Sequence, residues 1–216
     1  MKKRSARSVV SRFGNRLLLL LLLTSFVLGP GARISQGEEP ARRSKPRIAP
    51  PRLSNRAAPK REPRVLEQSV TPDGLTSTVI ELPAVADAYI ASEWPQQNFG
   101  DDALYLGYNL SDEDNFGAER ILLHFDVENS IPQGAVISEA RLKLRLNFTS
   151  PVEDEPMPTI LRRLGSAWSE DEVTWNREPV WKEIRAETEV GSDIQWYEWD
   201  VTSLVGEWVS HSYENY

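Results

Sequence analysis

The sequence predicts an all-β fold: a jelly-roll-like β-sandwich with one short helix near the C-terminus, preceded by a signal segment and a disordered linker. Three observations predict it. Beyond residue 77, short β-prone runs alternate apolar and polar residues between regularly spaced turn signals. Charge splits the chain in two: residues 1–64 hold sixteen Lys/Arg against three Asp/Glu, whereas residues 65–216 hold nine against twenty-nine. A leucine run and a basic proline-rich stretch fill the first part. The expected divisions are 1–32 as signal peptide or signal anchor, 33–76 as disordered Pro/Arg-rich linker, and 77–216 as the sandwich.

The leader opens with Lys2, Lys3, Arg4, Arg7, Arg12 and Arg16, then an apolar run from Leu17 to Leu28. Twelve residues span about 18 Å as helix, short of the roughly 30 Å of a bilayer core. That length suits a signal segment, with cleavage expected within 29–37 among small residues. The protein is therefore expected to be secreted or held at the cell surface. The linker carries Pro40, Pro46, Pro50, Pro51, Pro59 and Pro63 among many cations, and little apolar surface to offset its ordering entropy. Its charge suits an anionic membrane or wall. No aromatic residues are interleaved for base stacking, so no nucleic-acid partner is expected.

In the acidic body, Thr78–Leu82 and Ala86–Ala91 read as strands, followed by an Asn98-Phe99-Gly100-Asp101 turn and an alternating run at 104–108. Arg120–Val127 places Ile121, Leu123, Phe125 and Val127 on one face. Ala140–Phe148 alternates throughout, with Ala140, Leu142, Leu144, Leu146 and Phe148 expected inward and Arg141, Lys143, Arg145 and Asn147 outward. Thr159–Leu164 and Ile194–Val201 are further strands. Thr202 to about Ser210 reads as a helix, with Leu204/Trp208 and Val205/Val209 at i,i+4 spacing and Asp200 or Thr202 as cap.

At these residues the chain resembles a known family, the DNRLRE domain or carbohydrate-binding module family 96, which is related to disaggregatases. "ADAYIASEWPQQNFGDDALYLGYN" is similar to its opening strand and Asn-Phe/Tyr-Gly turn. "ERILLHFDVENSIPQGAVISEARLKLRL" resembles its central hairpin, "SAWSEDEVTWN" its Trp-Ser-Glu-x-x-Val-Thr-Trp-Asn signature, and "WYEWDVTSLVGEWV" its terminal helix. The resemblance implies a secreted jelly-roll module, often appended to polysaccharide-active or surface proteins, with some members binding acidic polysaccharide. The family pattern continues through glycine into further strands where this chain ends at Tyr216. An incomplete sandwich with an unpaired sheet edge, and poor solubility, are therefore expected.

Trp168, Trp175, Trp199 and Trp208 read as core and corner packing. Trp94, Tyr105, Tyr108 and Trp181, in or beside loops, are the candidate sugar platforms, with Arg120 as a candidate for a sugar hydroxyl or carboxylate. The alternative for Arg120 is an ion pair with the acidic body. Without cysteine, and with only His124 and His211, no nucleophile–base constellation or metal-ligand set is legible, so neither catalytic nor metal residues are expected. The acidic runs Asp101-Asp102, Asp112-Glu113-Asp114 and Glu153-Asp154-Glu155 leave Ca²⁺ as the one cofactor open, although none fits an EF-hand. The reading is an exported module that holds polysaccharide or cell-wall glycan without covalent chemistry. The competing readings are a structural or adhesion module and part of a polysaccharide-degrading enzyme.

Overall fold

A computed structural model describes residues 8–18, 23–24, 61–70, 72, 74–110, 116–150 and 156–216. The acidic runs at 112–114 and 153–155, the expected cleavage region and most of the linker lie outside the described residues.

The strands in chain order are β1 (Ser8–Leu18), β2 (Leu23–Thr24), β3 (Arg64–Val70), β4 (Thr76–Glu81), β5 (Ala84–Ala91), β6 (Leu104–Leu110), β7 (Phe116–Phe125), β8 (Arg141–Ser150), β9 (Met157–Leu164), β10 (Trp181–Val190) and β11 (Trp196–Asp200). The main sheet runs β10-β9-β2-β7-β6-β1-β8-β11, with β5 also on β7, and all its pairings are antiparallel. It folds over on itself as an all-β sandwich. Tyr89 and Ala91 of β5, Leu104 and Leu106 of β6, Ile121, Leu123 and Phe125 of β7, Leu142, Leu144 and Leu146 of β8, and Tyr197 and Trp199 of β11 share one core. The opposite face of β5 and β7 buries Ala88, Ile90 and Leu122 in a second, smaller core with Leu164 and Val173. Trp168, Trp175 and Tyr216 close that core from outside.

Helix α1 (Val127–Ser130) is a single turn capped by Asp126, which accepts from the Asn129 N–H at 3.2 Å. Helix α2 (Thr202–Val209) buries Leu204, Val205, Trp208 and Val209, the two i,i+4 pairs read from the sequence. Asp200 accepts from the Thr202 N–H at 3.0 Å and from its hydroxyl at 2.7 Å, which fixes the entry to the helix.

Three features differ from the expectations. The alternation of β8 slips after Leu146: Phe148 is 51 % exposed and Thr149 is buried. Arg12 and Phe13 of β1 face Phe148 and Leu146, which leaves Asn147 as an extra residue on β8. Such a bulge reverses the side-chain order beyond it. Second, part of the stretch read as linker is ordered, because β3 and β4 pair as a separate two-stranded sheet. Gly74, at φ +86°, supplies left-handed backbone between the two strands. Third, β1 lies inside the sheet and bonds to both β6 and β8, while β10 and β11 stand at the ends of the sheet order. β1 and β2 come from the segment read as the leader.

Candidate functional site

The fold brings Arg120 and Trp181 to one place. They line a small depression together with Ile90, Leu122, Leu164, Glu178 and Pro179, on the side of β7 covered by residues 165–180. Arg120 alternates outward from Ile121, away from the main core. Its guanidinium lies 4.3 Å from the centre of the Trp175 ring and pairs with Glu178 at 2.5 Å. The ion-pair alternative for Arg120 is therefore realised, while its Nε is buried with no hydrogen-bond partner.

Trp181 begins β10, opposite Leu164 of β9, so it sits on a strand where the sequence suggested a loop. It is 44 % exposed. Arg162 stacks its guanidinium 4.6 Å from the Trp181 ring centre, and its Nη1 donates to the Lys182 carbonyl at 2.8 Å. Among the described residues, no carboxylate lies within ion-pair distance of Arg162 or Lys182. By contrast, nearby Arg163 and Arg185 are neutralised by Glu183, and Arg185 also by Glu207. The edge of β9 and β10 thus presents an indole with two uncompensated cations on an otherwise acidic body.

The depression holds no more than about one water molecule, too little for a sugar ring. The arrangement suits a surface platform: a ligand ring lies on the open side of Trp181, with its polar edge toward the cations. It offers no nucleophile beside a base.

The other candidates lie elsewhere. Trp94 sits in the turn after β5, where its N–H donates to the Ala91 carbonyl at 3.2 Å, and it packs against the main core. Tyr105 is half-buried on β6, its ring 5.2 Å from Tyr89. Tyr108 is on β6 opposite Ala118, and its side chain lies outside the described residues. Sequence reading passed over Arg162, Lys182 and Trp196. Trp196, 40 % exposed, lies opposite Arg145 on the outer face of β8 and β11. The alternation that hides Tyr197 and Trp199 already places Trp196 outside, a signal present in the sequence. Nothing local marks Arg162 and Lys182, because their pairing depends on β9 meeting β10.

The Trp-Ser-Glu-x-x-Val-Thr-Trp-Asn segment is a clasp rather than a platform. Asn98 Nδ2 donates to the carbonyls of Glu170 at 2.7 Å and Val173 at 2.8 Å. A Cβ on Gly100 would lie 2.4 Å from the Glu170 carbonyl oxygen, so only glycine lets the two loops approach this closely.

The family description "Carbohydrate-binding module family 96" matches residues 78–216. No curated protein and no solved structure matches the chain. The match spans more than half of the chain, which belongs to carbohydrate-binding module family 96.

Proposed function

We propose that this member of carbohydrate-binding module family 96 holds a polysaccharide chain on the Trp181 platform at the edge of β9 and β10, without covalent chemistry. Family membership makes residues 78–216 a non-catalytic, carbohydrate-binding kind of domain. The observation that carries the location is the half-exposed Trp181, backed by Arg162, which among the described residues has no carboxylate within ion-pair distance. A glycan bearing carboxylates fits this charge better than a neutral one. The basic leader with its leucine run supports export to the cell surface, where cell-wall or extracellular polysaccharide is the partner.

Affinity electrophoresis against neutral and uronate-rich polysaccharides tests the reading. Trp181→Ala is expected to weaken binding about tenfold or more, as for a central aromatic anchor. Arg162→Ala weakens binding to the acidic glycans and spares the neutral ones. Retention unchanged by Trp181→Ala but lost with Trp196→Ala moves the site to the face of β8 and β11. No retention on any glycan removes the reading. One observation favours the structural or adhesion alternative: Val65, Leu66, Val70, Leu75 and Val79 are all exposed on the β3–β4 hairpin, an apolar surface suited to protein contact.

A further inference from the structure

Glu119 occupies an unusual position for a carboxylate. It lies on β7 between Ala91 of β5 and Gly107 of β6, and its side chain shares the face of Ile121, Leu123 and Phe125 in the main core. It is 9 % exposed, and its Oε2 is buried with no hydrogen-bond partner. A second carboxylate is held against it. The Ser92 N–H donates to the Ala118 carbonyl at 2.9 Å, and the Ala118 N–H donates to Ser92 Oγ at 2.8 Å. This double link pins the next residue, Glu93, to β7. Gly117 leaves room for it: a Cβ there would meet Glu93 Cγ at 2.8 Å, Cδ at 2.9 Å and Oε1 at 3.1 Å. Gly117 and Glu119 are two apart on one strand, so the Glu93 carboxylate lies on the face that Glu119 occupies.

Among the described residues, neither carboxylate has a Lys or Arg within ion-pair distance. Two like charges at a sandwich end, one of them buried with an orphan oxygen, are costly unless a proton or a cation joins them. Burial first, and the Glu93 charge second, push the Glu119 carboxyl up to about 7, so above neutrality the proton is leaving. We propose that Glu93 and Glu119 together bind a divalent cation of the calcium class. The donors are hard oxygens, with no sulfur and no imidazole, and they select calcium- or magnesium-like ions. Water and main-chain carbonyls complete the coordination. This site lies on the opposite face of β7 from Arg120, and it does not include the Asp101-Asp102 pair.

The test is thermal unfolding of the full chain in calcium chloride at about pH 8, above the value of about 7 for Glu119. Calcium at about 5 mM is expected to raise Tm by about 5 °C or more, reversibly with chelator. Glu119→Gln and Glu93→Gln each abolish the rise, and Glu119→Gln is the more stable of the two 119 forms without calcium. The double variant Asp101→Asn/Asp102→Asn keeps the rise. Terbium emission sensitised by the neighbouring Trp94, displaced by calcium and lost in Glu93→Gln, reads binding without reference to stability. An unchanged wild-type Tm with no sensitised terbium overturns the proposal. So does a full calcium response in Glu119→Gln, or its loss in the Asp101/Asp102 variant. Glycan retention is read separately, so the two proposals stand or fall apart.

Discussion

Glu119 makes the stability of this protein depend on pH in an unusual direction for a carboxylate. Its folded-state value lies above the ordinary glutamate value of 4.5, at about 7, because burial and the Glu93 charge disfavour the charged form. Between those two values the folded chain holds more protons than the unfolded chain. The associated stability is therefore complete below about 4.5 and is lost as pH rises through about 7. The shift corresponds to about 3 kcal/mol, an order-of-magnitude figure. In metal-free buffer, urea unfolding should show stability falling across this window, and Glu119→Gln should flatten the slope. A flat wild-type profile would show that the carboxyl is not desolvated. Asn98 offers a second measurement at the same scale. Its amide satisfies two backbone carbonyls of the 169–173 turn, so Asn98→Ala should cost about 1–3 kcal/mol in chemical denaturation. Asn98→Asp should cost at least as much, since a carboxylate cannot donate.

Among the elements, β8 carries a large share of the main core. Leu142, Leu144 and Leu146 are fully buried, and β8 pairs with β1 and β11. Leu144→Ala should destabilise by about 2–5 kcal/mol, whereas Phe148→Ala should change stability by well under 1 kcal/mol. That contrast follows from the bulge at Asn147 and reverses what unbroken alternation would give. A large loss with Phe148→Ala would remove the bulge. Helix α2 closes the other end of the same core. The Thr202 hydroxyl accepts from the Ala140 N–H at 3.0 Å and donates to Asp200, so one side chain ties the helix entry to the start of β8.

For the molecule as a whole, the N-terminal segment has two exclusive fates: removal as an export leader, or retention as β1 and β2 within the sheet. Among the described residues, β1 joins β6 to β8 and β2 joins β7 to β9. Without them the remaining backbone ladders are β5-β7-β6, β9-β10 and β8-β11, with β10 and β11 still linked by the Thr188 hydroxyl donating to the Glu198 carbonyl. Deletion of residues 1–24 should therefore broaden the unfolding transition and expose apolar surface to a hydrophobic dye. A truncated chain that unfolds as sharply as the full one would show that these strands contribute little. The C-terminal tail works in the opposite sense: Asn215 donates to the Phe125 carbonyl at 2.6 Å and fastens the end of the chain to β7.

Local pattern was enough for the elements of the body. Alternation at Arg120–Val127 and 140–146, i,i+4 pairing at 204–209, and turn residues at 98–101 all reflect spacing along one stretch of chain, and that spacing decides which side chains face inward. The Trp-Ser-Glu signature likewise marked Trp168 and Trp175 as packing residues. The placement of the candidate residues was only half legible. Arg120 and Trp181 could be named, but Trp94 and Tyr105 look the same in sequence and pack against the core instead. Only the tertiary structure decided that Arg162 of β9 covers Trp181 of β10, that Glu93 lies over Gly117 beside Glu119, and that β8 slips at Asn147. Each of these depends on which strands lie side by side and in what register. That is settled by contacts between residues distant in the chain, and the period of a single strand carries no record of them.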